Sequence, residues 1–266
     1  MQVHPGIAHA VSRLCAFMAK PTHEVYAMAK RVLTWLRDRI HIGVTYGDPR
    51  ITCIEDLLPR GAAKKPLDPE RDFSLACTVD SDLNGRSIKA MTADQAQQSP
   101  PDRASSRSQL GYELSLAGGS FEAVSRRQHS VALDTAAAEL FAASTAAAHL
   151  INITGVLRFL SFGVLGNDPV PMWCDNEACC LVTRDASSLK RLAYIARRVR
   201  FIQELEARRV ISIQNIEGIK NPADVLTKYL GKPDYIRYTS RLYNGAVDPE
   251  SHTCNAASAQ RRKGGV

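Results

Sequence analysis

The chain has 266 residues, 45% of them hydrophobic, and its 34 Lys and Arg outnumber 27 Asp and Glu for a formal charge of +7 and a pI near 9.1. That length suits one large or two small domains, and the basic excess fits either a polyanionic partner or an ordinary solvated surface. Seven scattered cysteines (15, 53, 77, 174, 179, 180 and 254) lack the CxxC pairs of a zinc or redox centre, and neither a signal peptide nor an apolar run of roughly 18 to 20 residues is evident, so the expectation is a soluble intracellular protein without a membrane span.

In chain order, residues 7 to 19 place Ile7, Val11, Leu14, Phe17 and Met18 on one helical stripe that Pro21 stops. Thr22 can cap a second helix with Val25, Met28, Val32, Trp35 and Leu36 on one face. Two such helices bury too little surface to stand alone and need a partner. A strand-like IHIGVTYG follows, then a Pro-rich, charged stretch that reads as a linker over 61–72.

From Phe73 the pattern alternates: Phe73, Leu75, Cys77 and Val79 against Ser74, Ala76, Thr78 and Asp80, a strand with one greasy face and Asp80 on the other. Residues 86–108 are polar and read as a long loop. Leu110, Tyr112, Leu114 and Leu116 alternate up to Gly118-Gly119, and FEAVS returns as a hairpin. Asp134 or Thr135 can cap an Ala-rich helix running to about 162, with Gly155 a weak point. VPMWCD is a short strand, NEACCLVTR a helix, and SSLKRLAYIARRVRFIQELEARR a basic helix with Leu189, Leu192, Ile195, Val199 and Ile202 inward. VISIQNI is the last strand; in NPADVLTKYL, Asn221 caps a helix with Pro222 in its first turn. The tail from 245 reads as frayed. The expected class is α/β, a mixed sheet with helices on its faces.

Four acids stand at the ends of these elements: Asp80 closes a strand, Glu139 lies in the first turns of a helix, Asp175 follows a strand and Asp224 opens a helix. Such carboxylates, if they converge, suit Mg²⁺, which takes hard oxygen ligands and shares them with substrate phosphates. Two ions about 3.5–4 Å apart would serve both ends of an in-line phosphodiester displacement. Without metal the like charges would raise one another's pKa, and metal binding would weaken as pH falls. Singly, Asp175 and Asp224 also sit where acids cap helices, Glu139 can be a solvated residue, and Asp82 replaces Asp80 if the register slips by two. The basic helix from Lys190 to Arg209 reads equally as a phosphate-binding face or a solvated one.

The series HPGIAHAVSRLCAFMAKPTHEVYAMAKRVLTWLRDRIHIGVTYG, VDSDLNG, SRSQLGYELSLAGG, SVALDTAAAELFAAS, WCDNEA, RRVRFIQE and NPADVLTK resembles, in order and over about residues 3–243, the carboxy-terminal part of the pol polyprotein of copia-type LTR retrotransposons. The resemblance implies a helical remnant of the reverse transcriptase over 1–60 and a ribonuclease H-like domain over 73–244 whose first three strands are antiparallel. It implies cleavage of the RNA strand of RNA–DNA hybrids with two Mg²⁺ ions, or Mn²⁺ in their place, and Asp80, Glu139, Asp175 and Asp224 as ligands. Arg126, Arg127, Asn176, Lys190, Arg191 and Arg198 are the candidates for holding nucleic acid, and the reverse transcriptase domain of the same polyprotein is the implied original partner. The chain departs from the family pattern at Leu83 (usually Trp), Ala137 (usually a second Glu) and Arg191 (usually His), and its IEGIK loop has no His. It also lacks a Tyr-x-Asp-Asp pair, which excludes DNA synthesis. The alternative is a catalytically inactive nucleic-acid-binding relic of a mobile element.

Overall fold

The computed structural model describes residues 4–46, 75–83, 107–160, 168–184 and 193–244. The linker 61–72, Phe73, Leu189, Leu192, the tail and nearly all of the loop 86–108 lie outside the described residues, as do Lys190 and Arg191.

Strands β1 (Leu75–Asp82), β2 (Gln109–Leu116), β3 (Gly119–Arg127), β4 (Val170–Cys174) and β5 (Ile211–Asn215) form one sheet in the order β3-β2-β1-β4-β5. Pairing is antiparallel from β1 to β2 and β2 to β3, and parallel from β1 to β4 and β4 to β5. The chain is thus α/β with a mixed sheet, compatible with a ribonuclease H-like arrangement. The β2–β3 turn holds Ala117 and Gly118 at φ of 50° and 81°, the left-handed pair that a two-residue hairpin of this twist requires.

On one face lies α3 (Thr135–Phe159), started by Asp134, whose carboxylate accepts from the Ala137 backbone N–H at 2.7 Å. Ala137, Ala138, Ala142, Ala143, Ala146 and Ala147 are all buried, and their small side chains let the helix sit close on β1 and β2. This helix corrects the expectation that no segment is long and apolar enough to cross a membrane: by length and composition α3 is. Glu139, Ser144, Thr145 and His149 interrupt the run without lowering its mean hydropathy enough, and half of its most apolar stretch is buried in the core. Helices α4 (Glu177–Arg184) and α5 (Ala196–Ala207) complete this layer, with Ile195, Val199 and Ile202 inward as the spacing predicts.

The other face is covered by α1 (Ala8–Cys15), a 3-10 turn at Pro222–Leu226 and α6 (Lys232–Tyr243). Both faces of β1 are therefore buried, not one, and Asp80 is only 1% exposed. Helix α2 (His23–Arg37) starts at Thr22, whose hydroxyl accepts from the Val25 N–H, yet none of its residues is fully buried. Its Trp35 packs beside Ile42 and Tyr243. The segment IHIGVTYG is not a strand over its described residues: Thr45 bonds the Tyr243 carbonyl at 2.9 Å, so it pairs with the end of α6 and not with the sheet. The sequence also hid α6, whose Gly231, Pro233 and Asp234 mark a helix start and whose Tyr235, Tyr238, Thr239 and Leu242 recur at helical spacing.

Candidate metal centre

Parallel pairing of β1 with β4 sets Val79 beside Cys174, so the residues that follow, Asp80 and Asp175, emerge together at the carboxyl ends of adjacent strands. This is the point where β1 has an antiparallel neighbour on one side and a parallel one on the other, the kind of switch at which open sheets form ligand sites. Asn221, fully buried, carries the third acid into place. Its amide donates to the Val79 carbonyl at 2.8 Å while its oxygen accepts from the Ala223 N–H at 3.1 Å. That clamp lays the turn bearing Asp224 over the end of β1. The turn is 3-10 where an α-helix was expected, and it leaves helical backbone at Thr227, φ −127°.

One oxygen each from Asp80, Asp175 and Asp224 lies within 4.8 Å of the other two. Glu139 joins through Asp175, in a second group that also contains the Cys174 thiol. Glu139 is buried under the end of β1, with Oε1 accepting from the Ser81 N–H at 3.0 Å and Oε2 facing Cys174 Sγ at 3.7 Å. Asp80, and not Asp82, is the strand acid that joins the cluster. Cys174, buried, borders the site as a free thiol.

The electrostatics follow from burial. Desolvation and then the nearby Asp80 and Asp175 charges hold Glu139 well above the usual carboxylate range. Burial, then Asp80, raises Asp175, and the same two causes push Asp224 up to about 7. Three hard carboxylates this close, one of them on a partly open side chain, fit a divalent cation that keeps some of its own water. Gly218 of the IEGIK loop reaches this point too: a Cβ there would stand 3.3 Å from Asp175 Oδ2.

Sequence reasoning missed Lys228. Its ammonium lies 2.6 Å from Asp224 Oδ1, 3.1 Å from Asp80 Oδ1 and 3.9 Å from Asp175 Oδ2. Burial opposes its charge, but Asp80 and Asp224 outweigh burial and raise its pKa. Thr227 adds a hydroxyl that donates to Asp80 Oδ2. The available signal was the four-residue spacing from Asp224 to Lys228, which places the two side chains on one face of a helix-like turn.

The candidate nucleic-acid residues are placed unevenly. Arg126 is exposed and Arg127 half-buried on β3. Arg198 lies over the Phe141 ring and donates to Ser144 Oγ at 2.9 Å, and burial followed by the Arg126 charge lowers its pKa. Asn176 caps α4 by accepting from the Cys179 N–H at 2.9 Å. Ser144 is five residues along α3 from Glu139, roughly 7.5 Å of rise.

The amino-terminal helix touches the same region. His9, buried against Tyr229 with ring centres 5.0 Å apart, has its pKa lowered to about 4, chiefly by desolvation. Arg13 Nε donates to Tyr229 Oη at 3.0 Å, and Gln109 reaches Ser12 at 3.1 Å. Helix α1 therefore braces the residue next to Lys228.

No family model matches the chain. Over 224 residues it is 25% identical to the Retrovirus-related Pol polyprotein from transposon TNT 1-94 of Nicotiana tabacum, a match covering 84% of this chain and 14% of that protein. The chain thus spans about a seventh of the relative's length. The similarity supports derivation from the Pol polyprotein of a retrotransposon.

Proposed function

We propose that the chain is a metal-dependent endonuclease of the ribonuclease H type that cleaves the RNA strand of RNA–DNA hybrids. The carrying observation is the cluster itself: Asp80, Asp175 and Asp224 within 4.8 Å of one another, and Glu139 joined through Asp175, at the ends of two parallel strands. On this reading residues 73–244 form the ribonuclease H-like unit, and 1–60 correspond to the end of the reverse transcriptase, joined to it by 61–72.

Asp80 and Asp175 are the central ligands, Glu139 and Asp224 the flanking ones. Two Mg²⁺ ions, or Mn²⁺ in their place, would supply Lewis acidity at the phosphoryl oxygens and a more acidic water. The chain's own residues do the rest. Asp175, with the most open carboxylate among the aspartates of the cluster (18% against 1% and 11%), faces the substrate side. Ser81 N–H and Thr227 fix Glu139 and Asp80 in orientation. Arg126, Arg127, Arg198 and Asn176, together with Lys190 and Arg191, hold phosphates, while groove width and 2′-hydroxyls select the hybrid.

Lys228 amid the acids favours a second reading, a catalytically inactive nucleic-acid-binding relic. Labelled hybrid, single-stranded RNA and duplex DNA incubated with and without Mg²⁺ separate the two. The nuclease reading expects product from the hybrid alone and only with Mg²⁺; retention of all three substrates uncut, with salt-sensitive binding, sinks it.

A further inference from the structure

We propose that Lys228 is the built-in counter-cation of the acidic centre: its ammonium holds Asp80, Asp175 and Asp224 together when no divalent ion is bound, and must leave Asp80 and Asp224 for one to bind. The inference rests on the reading of these acids as divalent-metal ligands.

The geometry is that of a bound cation. An ammonium has three N–H donors, and here two of them have carboxylate oxygens at 2.6 and 3.1 Å, with a third carboxylate at 3.9 Å. Those three carboxylates are the ones whose oxygens lie within 4.8 Å of one another. The lysine head therefore occupies the same small volume that a cation bound by the three would need, and both cannot sit there. Without it, three like charges, one of them 1% exposed, would face one another, a costly arrangement at low dielectric.

The side chain is also built to move. Its root is fixed: the Lys228 N–H bonds the Asp224 carbonyl at 2.9 Å, and its neighbour Tyr229 is held by Arg13 and His9. Its side chain is 35% exposed, however, so four rotatable methylenes can carry the head outward into water while the backbone stays. A metal ion would then enter a cluster already assembled, at the expense of two charge-assisted hydrogen bonds. The chain thereby keeps its acids aligned in the metal-free state and makes divalent binding competitive and weaker than the carboxylates alone would give.

The test is Mn²⁺ binding, followed by loss of the free-ion electron paramagnetic resonance signal, for the full chain and Lys228→Met. The expected result is at least a tenfold lower Kd for Lys228→Met, with a lower melting temperature in chelator and a larger rise on adding Mn²⁺. Should that variant not fold, Asp224→Asn against Asp224→Asn/Lys228→Met makes the same comparison with one like charge fewer, and the double variant should bind Mn²⁺ more tightly. Equal or weaker binding without the lysine overturns the proposal. Failure of every protein, wild type included, to bind Mn²⁺ overturns the metal-site reading along with it. Tighter binding by the lysine-free chain without any hybrid cleavage upholds the counter-cation and removes only the nuclease.

Discussion

Asp80→Asn should lower Mg²⁺-dependent cleavage of an RNA–DNA hybrid by at least about a thousandfold, ~4 kcal/mol of transition-state stabilisation, while leaving hybrid affinity within about twofold. Asparagine keeps the shape of the side chain, so its oxygen can still accept from Thr227, and the strand end need not move. What disappears is one of the negative charges at the middle of the cluster, the one that faces both Lys228 and the other acids. Binding survives because the candidate phosphate contacts, Arg126, Arg127, Asn176, Lys190, Arg191 and Arg198, do not include Asp80. The check is product formation by gel beside hybrid binding by fluorescence anisotropy. Undiminished cleavage by this variant rules out the assigned site, and loss of binding together with cleavage points to misfolding.

A second large effect is expected away from any charge. Gly111 faces Asp80 directly across the β1–β2 ladder, and a Cβ at that position would stand 2.7 Å from Leu226 Cβ and 2.8 Å from Thr227 Cγ2. Glycine is needed here because the 222–226 turn lies directly on the strand. Gly111→Val should cost about 2–3 kcal/mol through overpacking, or roughly 5–10 °C in Tm. It should also push Thr227 and Asp224 off Asp80, so divalent affinity and cleavage fall together. A thermal melt in chelator and in Mn²⁺ checks both parts. A variant that melts like wild type would mean that the turn is not pressed against β2 at all.

Much of this arrangement could be read from residues alone, for identifiable reasons. The β2–β3 hairpin, the Asp134 cap and the inward face of α5 follow local rules of alternation, capping and spacing, and they stand where those rules put them. The four acids were legible because each closes or opens a regular element, but only the parallel register of β1 and β4 brings two of them together. Lys228 left only the four-residue spacing from Asp224 as a signal. Its contacts to Asp80 and Asp175 depend on the 3-10 turn that carries Asp224 lying over the end of β1, which the sequence offers only as one more helix. The same holds for the second covered face of β1: alternation described one greasy face, whereas the 222–226 turn packs on the other, where Thr78 and Asp80 are buried. Tertiary contact also decided the fate of IHIGVTYG, whose strand-like composition is spent on the end of α6.

The central claim is that Asp80, Glu139, Asp175 and Asp224 form one divalent-cation site. Anomalous difference density from crystals grown with Mn²⁺ tests it most directly. The account predicts a peak between Asp80, Asp175 and Asp224, with the Lys228 ammonium displaced toward solvent. Density elsewhere, or none at these acids while Lys228 keeps its contacts to Asp80 and Asp224 at saturating Mn²⁺, would contradict it.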